Sequence, residues 1–228
     1  MTGGAAAAWQ KAQTESIRQG AFARWPNEAM LKVLFGSYLA VREEPRAGQR
    51  VLDVGCGVGQ NLLPFAARGC DVAGVELTEQ MAKEARESLQ GRGVKGDFRV
   101  GTNRNIPFPD ASFDLLLSVN ALHYETDEAN YLAAIGEFAR VLKPAGRIFI
   151  STVAPEHEIY RRAEPVGPHQ FRIKDYDFRN GEVMFFIDHE KYLASYLGKQ
   201  FAEIETGRIT ERLMTRTLDF FLAVARKS

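Results

Sequence analysis

The sequence has only two cysteines among its 228 residues and no excess of charge of either sign. Cys56 and Cys70 lack the paired spacing of a disulfide scaffold or a zinc site. The 29 lysine and arginine residues balance the 29 aspartate and glutamate residues, so there is no overall basic field to hold a nucleic acid. These absences argue against a disulfide-rich or zinc-stabilised fold and predict that no nucleic acid is bound.

Long apolar runs are also absent, because no stretch approaches the roughly 20 apolar residues that a membrane-spanning helix needs. The first residues lack the basic start of a signal peptide. Of the histidines, His157, His169 and His189 are scattered without metal-ligand spacing. The sequence therefore predicts a cytoplasmic protein with no membrane association and no metal site.

Apolar residues at helical spacing alternate with short apolar runs that are typical of strands. The predicted helices cover residues 26–41, 61–68, 78–90, 127–142 and 189–197, and the predicted strands cover 50–54, 71–76, 98–100, 114–119, 147–153, 202–210 and 218–225. Strands separated by helices form a parallel sheet covered on both faces, and the last two strands read as an antiparallel edge pair. We therefore predict an α/β fold whose doubly wound, mostly parallel seven-stranded sheet has an antiparallel strand near one edge.

A glycine-rich turn follows the first predicted strand, with glycine at Gly55, Gly57 and Gly59. Such a turn brings backbone close to a ligand at the carboxyl end of a strand. A dinucleotide fingerprint starting at Gly55 requires a further glycine at position 60, which is Gln60. Glycines at alternate positions, with Asp53 two residues before the first, instead resemble the class I S-adenosylmethionine-dependent methyltransferases.

This resemblance implies a Rossmann-like fold, S-adenosylmethionine as cofactor and S-adenosylhomocysteine as product. It implies that the turn, including Cys56, packs against the methionine part of the cofactor and that Asp53 helps to orient it. Glu76 ends the second predicted strand, where a carboxylate accepts hydrogen bonds from both hydroxyls of a ribose. We therefore predict Glu76 and the adjacent Leu77 as cofactor residues, the alternative for Glu76 being an ordinary exposed glutamate at a strand end.

Residues 101–110 resemble the segment after the third strand in small-molecule members of the family. Their pattern is glycine, aspartate, three variable residues and then Leu-Pro-Phe, but Thr102 stands here in place of the aspartate that meets the adenine amine. The Thr102 hydroxyl, the Asn103 side chain or backbone groups remain as substitutes. The turn over residues 140–146 also resembles the family, and the matches together cover residues 51–153.

The segment that follows the fourth predicted strand contains Ser118, Asn120, His123 and Tyr124. In the family this loop lies beside the transferable methyl group, which implies cofactor contacts for Ser118 and Asn120. His123 and Tyr124 are the catalytic candidates, with His123 as a base near neutral pH. The alternative for His123 is a structural hydrogen bond at the strand end.

Two residues precede the first predicted helix and stand in a region that folds over the cofactor in many relatives. Trp25 is predicted to exclude water from the cofactor, and Arg24 to meet a carboxylate. The alternative is a hydrophobic staple beside a solvated arginine.

A single domain over residues 1–228 is the predicted organisation, because this length suits one sizeable α/β core. It comprises an N-terminal helical cap over 1–45, a cofactor-binding core over 50–153, a substrate-side insertion over 154–188, and a C-terminal helix and strand pair over 189–228. The insertion shows no clear period, and its histidines, tyrosines and arginines suit a pocket for a polar or anionic small molecule, or else a dimer surface.

The predicted function is transfer of a methyl group from S-adenosylmethionine to a small-molecule acceptor at oxygen, nitrogen or sulfur, by a monomer or homodimer. A macromolecular acceptor, RNA or protein, is an alternative, although residues 120–123 lack the Asn/Asp-Pro-Pro-aromatic signature for amino groups of bases. A non-catalytic module that binds the cofactor is a second alternative. A hydride-transfer enzyme is a third.

Overall fold

The computed structural model of the chain describes residues 25–177 and 179–228, together with Lys11 and Glu15. Arg24 lies outside the described residues, as does most of the first half of the predicted cap over residues 1–45. Within these described ranges, no helix has both the length and the apolar character needed to cross a bilayer.

Seven strands form the main sheet in the order β3-β2-β1-β4-β5-β10-β9, and three more form a small second sheet. The strands of the main sheet are β1 (Arg50–Val54), β2 (Asp71–Glu76), β3 (Gly96–Val100), β4 (Phe113–Val119), β5 (Leu142–Val153), β9 (Phe201–Leu213) and β10 (Arg216–Lys227). The strands of the second sheet are β6 (Ala163–Gly167), β7 (Gln170–Ile173) and β8 (Val183–Phe185).

The first five strands of the main sheet are parallel, and β10 runs antiparallel to both of its neighbours, β5 and β9. The predicted fold class is therefore confirmed. Parallel strands end at one edge of the sheet, and the pairing of Val54 with Val75 brings the ends of β1 and β2 side by side. This register places the glycine-rich turn next to Glu76.

Helices cover both faces of the main sheet. They are α1 (Glu28–Phe35), α2 (Leu63–Ala66), α3 (Glu79–Gln90), α4 (Glu128–Val141), α5 (Glu158–Arg161) and α6 (Glu190–Leu197). One face of the core contains buried side chains of α4 and α6, and the other contains those of α1 and α3. Thr78 caps α3, because its hydroxyl accepts the Met81 N–H.

Two predicted helices are shorter than their sequence pattern indicated. The helix predicted over 26–41 ends at Phe35, since Gly36 adopts an extended backbone and Tyr38 and Val41 are exposed. The helix predicted over 61–68 is a 3-10 turn over Gln60–Leu62 followed by the single turn of α2.

The insertion over 154–188 is more regular than its sequence indicated. It contains α5 and the antiparallel sheet β6-β7-β8. Its apolar side chains Ile159, Ile173, Met184 and Phe186 form a small core with Val153 at the end of β5. This packing fixes the insertion at the carboxyl edge of the main sheet.

Candidate functional site

A cavity of about 510 Å³ lies at the carboxyl edge of the main sheet. Eleven of the predicted residues line it: Trp25, Gly55, Cys56, Gly57, Glu76, Leu77, Thr102, Asn103, Asn120, His123 and Tyr124. His157 and Arg179, two polar residues of the insertion predicted to form a pocket or a dimer surface, also line it. Several other lining residues were not predicted: Asn27, Gln60, Asn61, Arg104, Glu125, Val153, Ile159 and Phe220. Three predicted residues, Asp53, Gly59 and Ser118, lie behind this lining.

The glycine-rich turn forms the floor of the cavity between β1 and β2. Its first two N–H groups, those of Gly55 and Cys56, donate to the Val75 carbonyl oxygen. Gly55 has a φ of 76°, and a Cβ added there would stand 2.9 Å from the Cβ of Ala121. Only glycine fits this conformation without strain, so bare backbone faces the cavity.

Glu76 joins the end of β2 to the glycine-rich turn. Its Oε1 accepts the Gly57 N–H at 2.6 Å, and its Oε2 accepts the Leu77 N–H at 3.1 Å. The side chain is almost fully buried, and burial raises the pKa of this carboxyl group to about 7. A carboxylate offers about four lone-pair sites, so about two remain for donors from a ligand.

Asp53 is fully buried behind the turn rather than in the cavity wall. Its Oδ2 accepts a hydrogen bond from Asn61 Nδ2 at 3.4 Å, and its Oδ1 has no partner among the described residues. Burial, together with the charge of Glu76, raises the pKa of Asp53 to about 7. Asn61 Oδ1 accepts the Asn27 N–H at 2.9 Å, so Asn61 ties the start of α1 to the turn.

The segment after β3 forms one end of the cavity. Thr102 and Asn105 exchange backbone hydrogen bonds, and the Thr102 hydroxyl accepts the Arg104 N–H at 3.3 Å. Asn103 Nδ2 donates to the Ala121 carbonyl oxygen at 3.2 Å and to Glu125 Oε1 at 3.1 Å. These two bonds fix the orientation of the Asn103 amide, with its carbonyl oxygen left as an acceptor.

The same segment contains an ion pair that the sequence analysis did not predict. Arg104 Nε donates to Glu125 Oε2 at 2.9 Å, and the Glu125 side chain is buried. Residues 104 and 125 are 21 positions apart, so no local pattern signals this contact.

The loop after β4 is held against β5. Asn120 has a φ of 56° and accepts a hydrogen bond from the Ser151 hydroxyl at its Oδ1, over 2.7 Å. Its backbone N–H donates to the Ser151 carbonyl oxygen at 3.1 Å. Ser118 lies two residues earlier, in β4. It is fully buried, and its hydroxyl has no partner within the described chain.

His123 and Tyr124 line the other end of the cavity with their rings 4.7 Å apart. Burial, and then the charges of His157 and Arg179, lower the pKa of His123 to about 3. His123 is therefore neutral at pH 7, but it is a weaker base than the near-neutral one that the sequence analysis envisaged. Burial raises the pKa of Tyr124, whose hydroxyl accepts a hydrogen bond from Arg179 Nη1 at 3.1 Å.

Arg179 comes from the insertion, 55 positions after Tyr124. Its Nε donates to Asp177 Oδ1 at 2.9 Å, and its Nη2 forms an ion pair with Oδ2 of the same carboxylate. This pairing orients the Nη1 edge of the guanidinium toward Tyr124. No local sequence pattern around Arg179 signals the contact with Tyr124, so the sequence predicts only that the arginines of the insertion suit a pocket or a dimer surface.

A carboxylate beside a glycine-rich turn, at the carboxyl edge of a mostly parallel sheet, defines a nucleoside-binding protein with a Rossmann-like fold. The methyltransferase domain family matches residues 51–146. The ubiquinone biosynthesis O-methyltransferase of Xylella fastidiosa is 31% identical over 193 residues, which cover 79% of this chain and 75% of that protein. The chain therefore belongs to the class I S-adenosylmethionine-dependent methyltransferases, and the predicted family and cofactor are confirmed.

Two further relatives illustrate how far the similarity reaches. An uncharacterized methyltransferase of Bacillus subtilis is 38% identical over 118 residues, 51% of this chain and 46% of that protein. The structure of 1,6-didemethyltoxoflavin-N1-methyltransferase from Burkholderia thailandensis, with S-adenosylhomocysteine bound, covers 98% of this chain and 88% of its own. Its TM-score of 0.66 at 23% identity shows a common fold. The chain spans about half the length of several curated relatives that it matches.

The residues at the cavity fit the family's cofactor. Glu76 is a buried carboxylate with lone pairs left for two ribose hydroxyls, and Gly55 leaves room where any side chain would collide with Ala121. Within residues 25–177 and 179–228 there is no cluster of metal-ligating side chains.

Proposed function

We propose that this protein transfers a methyl group from S-adenosylmethionine to a small-molecule acceptor. The observation that carries the proposal is the cavity of about 510 Å³ that joins the buried Glu76 to His123, Tyr124 and Arg179. Its volume is in the range for one small-ligand site, and the insertion borders it. When bound, S-adenosylmethionine supplies an electrophilic methyl group on a sulfonium.

The strand order supports an assignment for each part of the cofactor. Glu76, at the end of β2, receives the ribose hydroxyls. The turn from Gly55 to Gly57, at the end of the next strand β1, receives the methionine part. Adenine then lies on the opposite side of the ribose, toward the end of β3, where Leu77, Thr102 and Asn103 line the cavity.

We further propose that Asn103, rather than Thr102, replaces the family aspartate as acceptor for the adenine amine. The Thr102 hydroxyl accepts the Arg104 N–H within its own turn, whereas the Asn103 amide is oriented by Ala121 and Glu125. The oriented carbonyl oxygen of Asn103 suits the exocyclic N–H₂ of adenine, which needs an acceptor.

We expect the protein to prefer S-adenosylhomocysteine over S-inosylhomocysteine by about tenfold or more, because inosine presents a carbonyl oxygen where adenine presents an amine. Asn103→Ala should reduce this preference to near unity, and Thr102→Ala should leave it unchanged. Adding Thr102→Asp to Asn103→Ala should restore it. Isothermal titration of both nucleosides measures the preference, and its loss in Thr102→Ala alone would reverse the assignment.

The roles proposed for His123 and Tyr124 are positioning and exclusion of water rather than strong base catalysis. In-line methyl transfer gains much of its rate from alignment of the reacting groups. A neutral His123 adds no positive charge to a cavity that receives a cationic cofactor. Tyr124 keeps its proton and is held by Arg179, so both rings form a fixed wall.

The experiment that tests the function has two stages. Isothermal titration should detect binding of S-adenosylhomocysteine, and its absence would refute the proposal. Incubation of cell extract with S-adenosylmethionine labelled in its methyl group should then move label into the small-molecule fraction, with Glu76→Ala as the control that lacks the ribose contacts. Label in RNA or protein would favour a macromolecular acceptor. Binding without any label transfer would favour a non-catalytic module.

A cytoplasmic location and a monomeric or homodimeric state also belong to this proposal. They rest on composition, with two free cysteines and balanced charge, and on the size of the chain. Sedimentation of the purified protein tests the oligomeric state.

A further inference from the structure

We propose that Asp219 is a positioning residue for the acceptor, because it holds the part of the chain that brings His157 and Ile159 to the cavity. This inference rests on the proposed function and adds to it a residue that lies outside the cavity lining. Asp219 belongs to β10, and its side chain is fully buried.

Residues 154–157 connect the end of β5 to the start of α5. They leave the main sheet at its carboxyl edge and lead directly into the insertion. His157 and Ile159 line the cavity, and the ring of His157 meets the ring of Phe220 edge-on at 4.9 Å. The positions of His157 and Ile159 therefore depend on how this connection is held.

The backbone N–H groups of the connection lead mostly to Asp219. The Ala154 N–H donates to the Asp219 carbonyl oxygen at 2.9 Å, and the Glu156 N–H donates to Asp219 Oδ2 at 2.8 Å. Pro155 has no N–H, and the His157 N–H donates to the Ala154 carbonyl oxygen at 3.0 Å. Both N–H groups that reach outside the connection therefore end on Asp219.

The carboxylate of Asp219 is fully occupied by the protein. Arg208 donates from Nε to Oδ1 at 2.8 Å and from Nη2 to Oδ2 at 2.7 Å, and the Thr210 hydroxyl donates to Oδ1 at 2.7 Å. Together with the Glu156 N–H, these bonds fill the roughly four lone-pair sites of a carboxylate. Burial raises the pKa of Asp219, but the hydrogen bonds outweigh burial and hold this pKa below its ordinary value. Asp219 is therefore ionised at neutral pH and acts only through the groups that it holds.

The alternative is that Asp219 and Arg208 form only a stabilising ion pair. A buried pair adds little net stability, because desolvation of the charges offsets their attraction. The Arg208 side chain is 38% exposed, so it would remain hydrated without its partner. An apolar residue at position 219 could fill the space, but it could not accept the Glu156 N–H from 63 positions away. The bond to the connection is therefore the feature that requires a carboxylate.

Phe220 links Asp219 to the same wall of the cavity. It follows Asp219 directly and lines the cavity together with His157. His157 Nδ1 accepts the Ile159 N–H at 3.1 Å, so the direction of its ring also depends on the connection. Burial, and then the charge of Arg179, lower the pKa of His157 to about 4, and the ring is neutral at pH 7. His157 thus forms part of an uncharged wall whose position Asp219 fixes.

The residues assigned to the cofactor lie on other strands. Glu76 ends β2, and the turn from Gly55 to Gly57 follows β1. Movement of the connection should therefore change how an acceptor is held without changing how the cofactor is held. Methyl transfer is sensitive to such alignment, since a displacement of about 1 Å can lower a rate by about 100-fold.

Hydrogen exchange tests the positioning without any acceptor. We expect Asp219→Ala to speed exchange of the amides of residues 156–159 by about tenfold or more, because the Glu156 N–H loses a charged partner. Asp219→Asn, which keeps the side-chain volume, should give a smaller increase at the same amides. Unchanged exchange in both variants would overturn the proposal.

Asp114→Asn is the matched control for these variants. Asp114 also pairs with a cation, accepting from Lys143 Nζ at 2.9 Å, and it also accepts a backbone N–H, that of Arg50, at 2.8 Å. It stands near the amino-terminal end of β4, away from the cavity edge. We expect Asp114→Asn to leave exchange at residues 156–159 and acceptor kinetics unchanged.

Transfer kinetics test whether the positioning serves the acceptor. The acceptor pool is the small-molecule fraction of cell extract, supplied as a dilution series with labelled S-adenosylmethionine. We expect both Asp219 variants to raise the half-saturating amount of extract by about fivefold or more and to keep the KM for S-adenosylmethionine within about twofold. Arg208→Gln removes the ion pair but leaves the bond from Glu156 to Asp219, so it should keep both values near those of the wild type.

Two kinetic outcomes would contradict the acceptor role. If Arg208→Gln matched the Asp219 variants, the ion pair alone would explain the effect. If the KM for S-adenosylmethionine rose as much as the half-saturating amount of extract, the change would not be confined to the acceptor. Titration with S-adenosylhomocysteine reports folding of each variant.

The two measurements also separate this inference from the proposed function. Failure of the wild-type protein to bind S-adenosylhomocysteine or to transfer label would remove the proposed function, and the inference with it. Normal acceptor kinetics in an Asp219 variant whose connection exchanges faster would remove only the positioning role.

Discussion

Replacement of Glu76 by alanine is expected to weaken S-adenosylhomocysteine binding by about 100-fold or more. Each hydrogen bond to a charged group contributes about 1.5–3 kcal/mol, and the carboxylate is proposed to accept two from the ribose. The change also leaves the Gly57 and Leu77 N–H groups without their carboxylate partner. Isothermal titration measures the effect, and Glu79→Ala, in the exposed first turn of α3, is the matched control.

The Glu76 contact also predicts how binding depends on pH. The pKa of Glu76 without ligand is raised to about 7, and ribose hydroxyls donate best to the ionised carboxylate. Affinity should therefore be full above pH 7 and fall up to tenfold per unit as the pH drops below 7. Glu76→Gln should flatten this profile, because it removes the titrating group and its repulsion of Asp53. A wild-type affinity that is constant from pH 5 to 8 would contradict the assignment.

Gly59→Ala is expected to lower the free energy of unfolding by about 2–5 kcal/mol. Gly59 has a φ of 78°, which costs about 1–2 kcal/mol for a residue with a side chain. The added Cβ would stand 2.3 Å from Cδ1 of the fully buried Leu89, and overpacking of a core costs about 1–3 kcal/mol. Thermal unfolding should shift down by about 5–15 °C.

Gly93 provides the matched control for this change. Its φ is 76°, and nothing lies within 4 Å of an added Cβ, so Gly93→Ala isolates the backbone strain from the collision. We expect the Gly93 variant to lose only about 1–2 kcal/mol. Because Gly59 lies behind the cavity lining, folded Gly59→Ala should keep its nucleoside affinity within a few-fold. A large loss of affinity with little loss of stability would instead make Gly59 a direct cofactor residue.

The cofactor end of the site was the more predictable part. Gly55, Gly57 and Glu76 each stand at the end of a predicted strand, and parallel strands bring such ends together. The local sequence pattern is sufficient to predict these residues, because hydrophobic periodicity and the glycines between elements mark where each strand ends. Asp53 shows the limit, since sequence position alone does not reveal that its side chain points behind the turn to Asn61.

The insertion was the less predictable part, for reasons visible in its strands. β6 is mostly exposed, contains Pro165 and has a register irregularity near Gly167, so no alternation of apolar and polar residues marks it. Its small core forms only when Ile173 and Phe186 pack onto the end of β5. Because the apolar side chains of these strands pack on residues distant in the chain, the sequence of the insertion shows no local hydrophobic periodicity.

By itself the sequence determined the positions of the core strands, the glycine-rich turn and the acid that ends β2, because these depend on periodicity and on residues near one another in the chain. Only the tertiary structure decided which polar groups meet at the end of the cavity that His123 and Tyr124 line. Arg179 reaches Tyr124 across 55 positions, and burial in that contact region makes His123 and His157 neutral. Contacts between residues so far apart in the chain leave no local pattern in the sequence. The pKa values depend on burial, which exists only in the folded protein.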